Sequence, residues 1–296
     1  MQPVLLHKGD TIAIIAPAKS IEKEVVNHAV KIIKENGFKA LISPNCIGQH
    51  NYFSGTVKER TDDLQWAIDH DEVKAIFCAR GGYGSIQLLD RINWVGFLSH
   101  PKWMVGFSDV TVFHQHIATM NGCSLHATMP LNFENNTPGA LNSLFESLKT
   151  GVLHYKWQTK EKNLTGLATG EVIGGNLAVL AGLIGTNEMP DYQNKILFLE
   201  EVGEHLYAID RLFYQLNKVG VFGQIRGLII GGFTSIKDTE PPFGKGLIEL
   251  IKSHFTYNNI PIAFDFPAGH IDDNRALILG KEAALKVNLH DATLEY

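Results

Sequence analysis

Ser108 stands in Gly106-Phe107-Ser108-Asp109, between the apolar residues 104–107 and a helical pattern carrying Val110, Phe113 and Ile117. A serine at a strand-to-helix turn can present its hydroxyl as a nucleophile while the next backbone N–H holds an oxyanion. The same place suits an N-cap, whose hydroxyl accepts from an orphan N–H, and the second glycine of a hydrolase elbow is lacking. Arg80-Gly81-Gly82-Tyr83-Gly84-Ser85 also follows an apolar run. Its glycines let the backbone approach a ligand and aim N–H groups at negative charge, or they form a tight turn with no ligand. The spacing is neither that of a dinucleotide fingerprint nor that of a P-loop, so no nucleotide cofactor is expected. Glu200 closes the apolar residues 196–199, where a carboxylate must be paired or placed in a site. Glu201, Glu204 and His205 follow; they can ligate a metal or favour the positive end of the next helix. No second histidine lies at a ligating spacing, so no metal is expected. His270 follows Phe266-Pro267-Ala268-Gly269 and precedes the polar Asp272-Asp273-Asn274-Arg275. His114 and His116, on the helix after Ser108, are read as packing or surface residues.

Positioning these groups falls to an alternation of strand and helix patterns. Residues 12–16 read as a strand stopped by Pro17, with Ser20 as cap of a helix carrying Val25, Ala29, Ile32 and Ile33 up to Gly37. A short extended segment covers residues 40–42, a helix carries Leu64, Ala67 and Ile68, and strands cover residues 73–78 and 104–107. Such alternation implies an α/β fold with a doubly wound parallel sheet. A polar seam at residues 132–139 precedes a helix carrying Leu141, Leu144, Phe145 and Leu148, which ends at Gly151. Residues 152–172 lack a clear period, and residues 177–184 read as a helix buried on all sides. A strand at 196–199 and a helix carrying Ile209, Leu212, Phe213, Leu216 and Val219 come next. Strand-like runs at 227–230, 260–264, 277–279 and 283–287 then suggest a second, smaller, more β-rich domain from about residue 165.

With 296 residues, 45% hydrophobic and 19% charged, the chain can bury a sizeable core and is not disordered. Its 26 Lys and Arg against 31 Asp and Glu give a net charge of −5 with no long basic block, which argues against a nucleic-acid partner. Cys46, Cys78 and Cys123 fit neither a disulfide framework nor a zinc pair, and no apolar run is long enough to span a bilayer. A cytoplasmic protein with a small-molecule or peptide partner is expected.

Several of these segments carry a resemblance together. They are Gly9-Asp10 with Ile14 to Pro17, Phe53-Ser54-Gly55-Thr56 with Arg60 and Asp63-Leu64, the glycine run from Arg80, and Gly106 to Asp109. Gly174-Gly175-Asn176-Leu177, Leu199-Glu200-Glu201 leading to Glu204, Asp210-Arg211 and Gly269-His270 continue it. In this order they resemble the LD-carboxypeptidase family of serine peptidases, which includes the microcin C immunity peptidases. The resemblance implies a flavodoxin-like domain over residues 1–150 carrying Ser108 as nucleophile. A smaller domain over residues 165–296 would supply Glu200 and His270, as orienting carboxylate and general base. It further implies an oxyanion hole from the N–H groups of Gly82 and Asp109, substrate contacts from Arg80, Gly81, Tyr83 and Glu204, a site in the interdomain cleft, and a homodimer. The implied reaction releases terminal D-alanine from an L,D-linked muropeptide tetrapeptide in cell-wall recycling. Two alternatives are cleavage of aminoacyl-nucleotide amides, as in the microcin branch, and a non-catalytic anion-binding module at Arg80 to Ser85. His126-Ala127-Thr128-Met129-Pro130 departs from the family, where a glycine-proline pair is common.

Overall fold

The computed structural model describes residues 1–296. Along the first half, strands and helices alternate as β1 (Thr11–Ile15), α1 (Lys23–Glu35), β2 (Lys39–Ile42), α2 (Val57–Asp69), β3 (Val73–Cys78), α3 (Val95–Ser99), β4 (Trp103–Gly106), α4 (Thr111–Thr119), β5 (Ser124–His126) and α5 (Pro138–Thr150). β1 is buried along its whole length, as a strand covered by helices on both faces must be. α1 turns Val26, Ala29 and Ile33 inward, three positions that share one helix face. α2 begins with a capping box, in which Thr56 Oγ1 accepts from the Glu59 N–H and the Glu59 carboxylate accepts from the Thr56 N–H. Ser20, expected to cap α1, does not do so, because the helix starts only at Lys23 behind Glu22. Its backbone is used instead: the N–H donates to Tyr52 O at 3.2 Å and the carbonyl accepts from Arg80 Nη1 at 3.0 Å.

The second half contains β6 (His154–Gln158), β7 (Gly166–Asn176), α6 (Leu177–Gly182), β8 (Ile196–Val202), α7 (Leu206–Lys218), α8 (Val221–Gln224), β9 (Gly227–Thr234), α9 (Leu247–Ser253), β10 (Ile262–Ala263), β11 (Leu277–Leu279), β12 (Glu282–Val287) and β13 (Asp291–Glu295). Residues 152–172, read as lacking a period, hold β6 and the start of β7. β6 does alternate, burying Tyr155 and Trp157 between exposed His154, Lys156 and Gln158, but only two apolar positions carry the signal.

Two sheets result, both rich in parallel pairs. In the first the order is β2-β1-β3-β4-β5, all parallel, which is the flavodoxin-like order with its ligand crevice at the carboxyl ends of the strands. β11 extends this sheet, antiparallel to β5 through Leu277 opposite His126, so residues 277–279 do not join the second sheet as expected. That second sheet runs β10-β9-β8-β7-β12-β13-β6, parallel from β10 to β7 and antiparallel beyond.

The largest core, 42 buried residues, runs from Ile12 and Phe77 of the first sheet to Phe198 and Leu285 of the second, so the two share one interior. Directed bonds fix the joint. The Asn176 N–H donates to Thr111 Oγ1 at 3.0 Å and Gln115 Nε2 to Gly174 O at 2.8 Å, locking α4 of the first sheet to the end of β7.

Candidate active site

β4 stops at Gly106, Phe107 is extended, and Ser108 then takes φ = 62°, the left-handed region that costs a non-glycine residue about 1–2 kcal/mol. Ser108 is half-buried and no helix N–H donates to its hydroxyl, so it is not serving as a cap. The backbone just ahead of it is held firmly. Gly106 O accepts from the Ala127 N–H at 3.2 Å and from His114 Nε2 at 2.9 Å, while His114 Nδ1 accepts from Ser124 Oγ at 2.9 Å. Bonding to a carbonyl requires the proton on Nε2, and burial pushes the His114 pKa down to about 4, so this ring is a neutral brace.

The glycine run lies directly against this turn. A Cβ placed on Gly81 would sit 3.3 Å from Ser108 Cβ and 3.4 Å from both Ser108 Oγ and Asp109 N, so only a residue without a side chain fits without pressure. Gly82 is exposed, and its N–H donates to no acceptor within the chain. The buried Asp109 carboxylate accepts from the Ser85 N–H at 2.9 Å, which pins the far end of the run to the serine turn. Burial raises the Asp109 pKa, and bonding to Ser85 draws it back. Arg80 is half-buried and braces the neighbouring loop, its Nη1 donating to Ser20 O at 3.0 Å. Tyr83 is exposed, its ring 6.3 Å from Phe53.

Arg60, for which the sequence reading named no role, clamps three loops from a fully buried position. It donates to Pro17 O at 2.7 Å, Gly84 O at 3.1 Å, Gly55 O at 3.2 Å and Gln87 Oε1 at 2.6 Å, with its guanidinium 4.4 Å from the Phe53 ring. The available signal was a charge on the apolar face of α2, in line with Leu64 and Ala67.

From the second sheet comes a histidine paired with a carboxylate. Glu200, in β8, is wholly buried and accepts from His270 Nδ1 at 2.7 Å, while the His270 side chain keeps 23% of its surface exposed. With its proton on Nδ1, the ring has a basic Nε2 at its tip. His270 meets Phe107, the residue before Ser108, edge-on at 4.9 Å between ring centres. Gly269 has φ = 114°, and a Cβ there would stand 2.8 Å from Glu200 Cβ and 2.9 Å from Oε2, so glycine is required for the ring to reach the carboxylate. The Gly269 N–H donates to Asn274 Oδ1 at 2.8 Å. The sequence reading gave Asn274 no role, and a polar loop offers no pattern to reveal it. His126, in β5, is fully buried 4.9 Å from Phe198 and 5.9 Å from Phe107, and burial holds it neutral.

Glu201 points away from Glu200, as adjacent strand residues do. It accepts from Asn176 Nδ2 at 3.1 Å, the Ala178 N–H at 2.8 Å and its own neighbour Val202 N–H at 2.8 Å, fixing the start of α6. Burial raises its pKa against those bonds. Glu204 is half-buried and its side chain makes no hydrogen bond or ion pair; only its carbonyl is engaged, by the Lys237 N–H at 2.9 Å. His205 stacks on Tyr207 at 5.4 Å, and no three His, Cys, Asp or Glu side chains converge as a ligand set.

Comparison with known proteins follows the same division. The profile described as the LD-carboxypeptidase N-terminal domain matches residues 12–127, and that of the LD-carboxypeptidase C-terminal domain matches residues 169–285. The chain is 31% identical to the murein tetrapeptide carboxypeptidase of Pseudomonas aeruginosa, an alignment that covers 94% of this chain and 93% of that protein. It is 26% identical to the microcin C7 self-immunity protein MccF of Escherichia coli, over 95% of this chain and 91% of that one. The crystal structure of muramoyltetrapeptide carboxypeptidase from Oxalobacter formigenes matches with a TM-score of 0.90 at 27% identity, over 96% of this chain and 98% of that chain.

Proposed function

The chain belongs to the LD-carboxypeptidase family, and from that premise we propose that it is a serine peptidase with Ser108 as nucleophile, His270 as general base and Glu200 as orienting carboxylate. The observation that carries this reading is the 2.7 Å bond from His270 Nδ1 to a wholly buried Glu200, on a ring that packs against the residue before Ser108. Residues 1–150 are then the unit that presents the nucleophile, and 165–296 the unit that presents the base, with β11 returned to the first sheet.

In this mechanism Ser108 Oγ attacks the scissile carbonyl carbon while its proton passes to His270 Nε2. The carbonyl oxygen gains the negative charge and is held by the N–H groups of Gly82 and Asp109. Collapse of the adduct breaks the C–N bond, and the proton on Nε2 goes to the departing amine. Water, deprotonated by the same nitrogen, then cleaves the acyl ester and restores the serine. Glu200 holds one tautomer of the ring throughout and stabilises the imidazolium. No step calls on a cofactor or metal.

The substrate is a muropeptide or small peptide that ends in a D-residue on an L-centre, and the product is D-alanine. Kinship with a murein tetrapeptide carboxypeptidase supports this choice. We place the enzyme in the cytoplasm as a homodimer working in cell-wall recycling; no helix is long and apolar enough to cross a membrane. Initial rates on three peptides test the reading: an L,D-linked tetrapeptide, a pentapeptide with a terminal D,D bond, and the tetrapeptide amidated at its terminus. Release of D-alanine from the first, with little from the second and third, is expected. Equal rates on the L,D and D,D bonds would sink it. Hydrolysis of an aminoacyl sulfamoyl nucleotide in place of the tetrapeptide would favour the microcin branch, to which MccF links the chain.

A further inference from the structure

Any carboxypeptidase must recognise the free carboxylate of its substrate, and Arg80, the cation within the glycine run, gives its Nη1 to Ser20 O as a brace of the loop. The glycine run has a second cation beside it. Lys19 is half-buried, and its Nζ makes no hydrogen bond and no ion pair, although its backbone is fixed by pairing with Phe53 and by an N–H bond to Gly81 O at 3.4 Å. The stem runs past Gly82: a Cβ on that glycine would stand 3.2 Å from Lys19 Cβ and 3.7 Å from Cδ. The same position would be 2.7 Å from Tyr52 Oη, and Lys19 Nζ lies 5.1 Å from the centre of the Tyr52 ring. An ammonium held over an aromatic face, with three donors unused and no carboxylate bound to it, is ready for an anion from outside.

We propose that Lys19 Nζ binds the terminal carboxylate of the peptide, with Tyr52 Oη as a second donor. This rests on the serine-peptidase reading and names the subsite that makes it a carboxypeptidase. With the scissile carbonyl oxygen at the Gly82 N–H, the carboxylate of the leaving residue lies roughly one residue, ~3.5 Å, further along the chain. That is a distance which the four-carbon lysine stem, starting beside Gly82, can cover. Lysine suits the task because it acts as a point charge that needs no fixed fork geometry, and the half-buried setting weakens competition from water. Arg80 keeps the floor of the subsite in place by tying the Ser20 loop to the glycine run.

The test follows kcat/KM for the L,D tetrapeptide beside the labelling rate of Ser108 by an uncharged alkyl fluorophosphonate, which has no carboxylate to bind. Lys19→Met should lower kcat/KM roughly ten- to a hundredfold while labelling stays within about twofold, since one charge-assisted bond is lost and the serine turn is untouched. Lys19→Arg should recover most of the loss. An unchanged kcat/KM, or an equal fall in peptide cleavage and labelling, overturns the assignment and leaves the peptidase reading standing. Failure of the unsubstituted chain to cleave the tetrapeptide overturns both.

Discussion

Two histidine–carboxylate pairs lie in the second half of the chain, and each buries what the other exposes. His270 bonds Glu200 at 2.7 Å and His254 bonds Asp210 at 2.8 Å, so distance does not separate them. Exposure does. In the first pair the carboxylate is wholly buried and the histidine side chain is 23% exposed; in the second the histidine is 3% exposed and the carboxylate 27%. The nitrogens differ as well. His270 spends Nδ1 on its partner and leaves Nε2, the tip of the ring, free for a substrate, whereas His254 spends Nε2 and turns its ring among Phe213, Tyr214 and Phe222 at 4.6–6.5 Å. The second pair joins α7 to the end of α9 and is a structural tie. The proposed mechanism calls for the first arrangement, with the carboxylate sealed in and the ring tip left out.

Substitutions can break or sharpen that contrast. The largest effect is expected for Ser108→Ala, which should lower turnover by roughly 10⁴-fold or more while the melting temperature hardly moves. Near-normal turnover with a lowered Tm would return Ser108 to the role of a cap. Gly81→Ala should cost about ten- to a hundredfold in kcat, because a methyl 3.3 Å from Ser108 Cβ and 3.4 Å from Asp109 N presses on both the proposed nucleophile and the proposed oxyanion donor. Steady-state kinetics with an unshifted Tm would show this; an unchanged kcat would mean that the turn yields.

A third histidine supplies a control without chemistry. His114 is depressed from 6.5 to about 4 by burial, so its neutral form is favoured by folding. The stability it contributes is present above pH 6.5 and is lost as pH falls through about 4, on the order of 3 kcal/mol for a shift of that size. Asp109 and Glu201, raised by burial, act in the opposite sense, since their contribution is lost as pH rises through their folded values. The His114 share is therefore read from the difference between the unsubstituted chain and His114→Gln in denaturant unfolding at pH 6.5 and 4. Equal acid losses in both proteins would contradict it. The smallest effect is expected from a chelator: dialysis should leave activity unchanged, and loss of activity restored by zinc would refute the serine mechanism.

Much of the first sheet is legible from the alternation of apolar strands and amphipathic helices, and the turn at Ser108 is visible where an apolar run meets a helical one. The hydroxyl's role is not. Local pattern leaves cap and nucleophile open, and the left-handed φ that speaks against a cap is encoded by no side-chain period. Glu200 and His270 are 70 positions apart, and nothing in Glu200-Glu201 says which carboxylate faces a histidine and which anchors α6. Family resemblance supplied that assignment, and a face-by-face strand geometry explains it. Arg80 shows what a local pattern leaves out, since a cation beside glycines reads as a ligand contact and nothing in the sequence reveals that its Nη1 also braces the carbonyl of Ser20. β11 is too short at three residues for its pattern to say which sheet it joins.

The most direct measurement compares Glu200→Gln with Asp210→Asn in one assay of D-alanine release and one of thermal melting. Glu200→Gln should lower kcat by roughly 10³- to 10⁴-fold, because the amide no longer fixes the tautomer or stabilises the imidazolium. Asp210→Asn should leave kcat within about twofold and cost about 1–2 kcal/mol of stability. Equal activity losses in the two variants, or turnover that survives Glu200→Gln and vanishes with Asp210→Asn, would contradict the placement of the reaction at Ser108, His270 and Glu200.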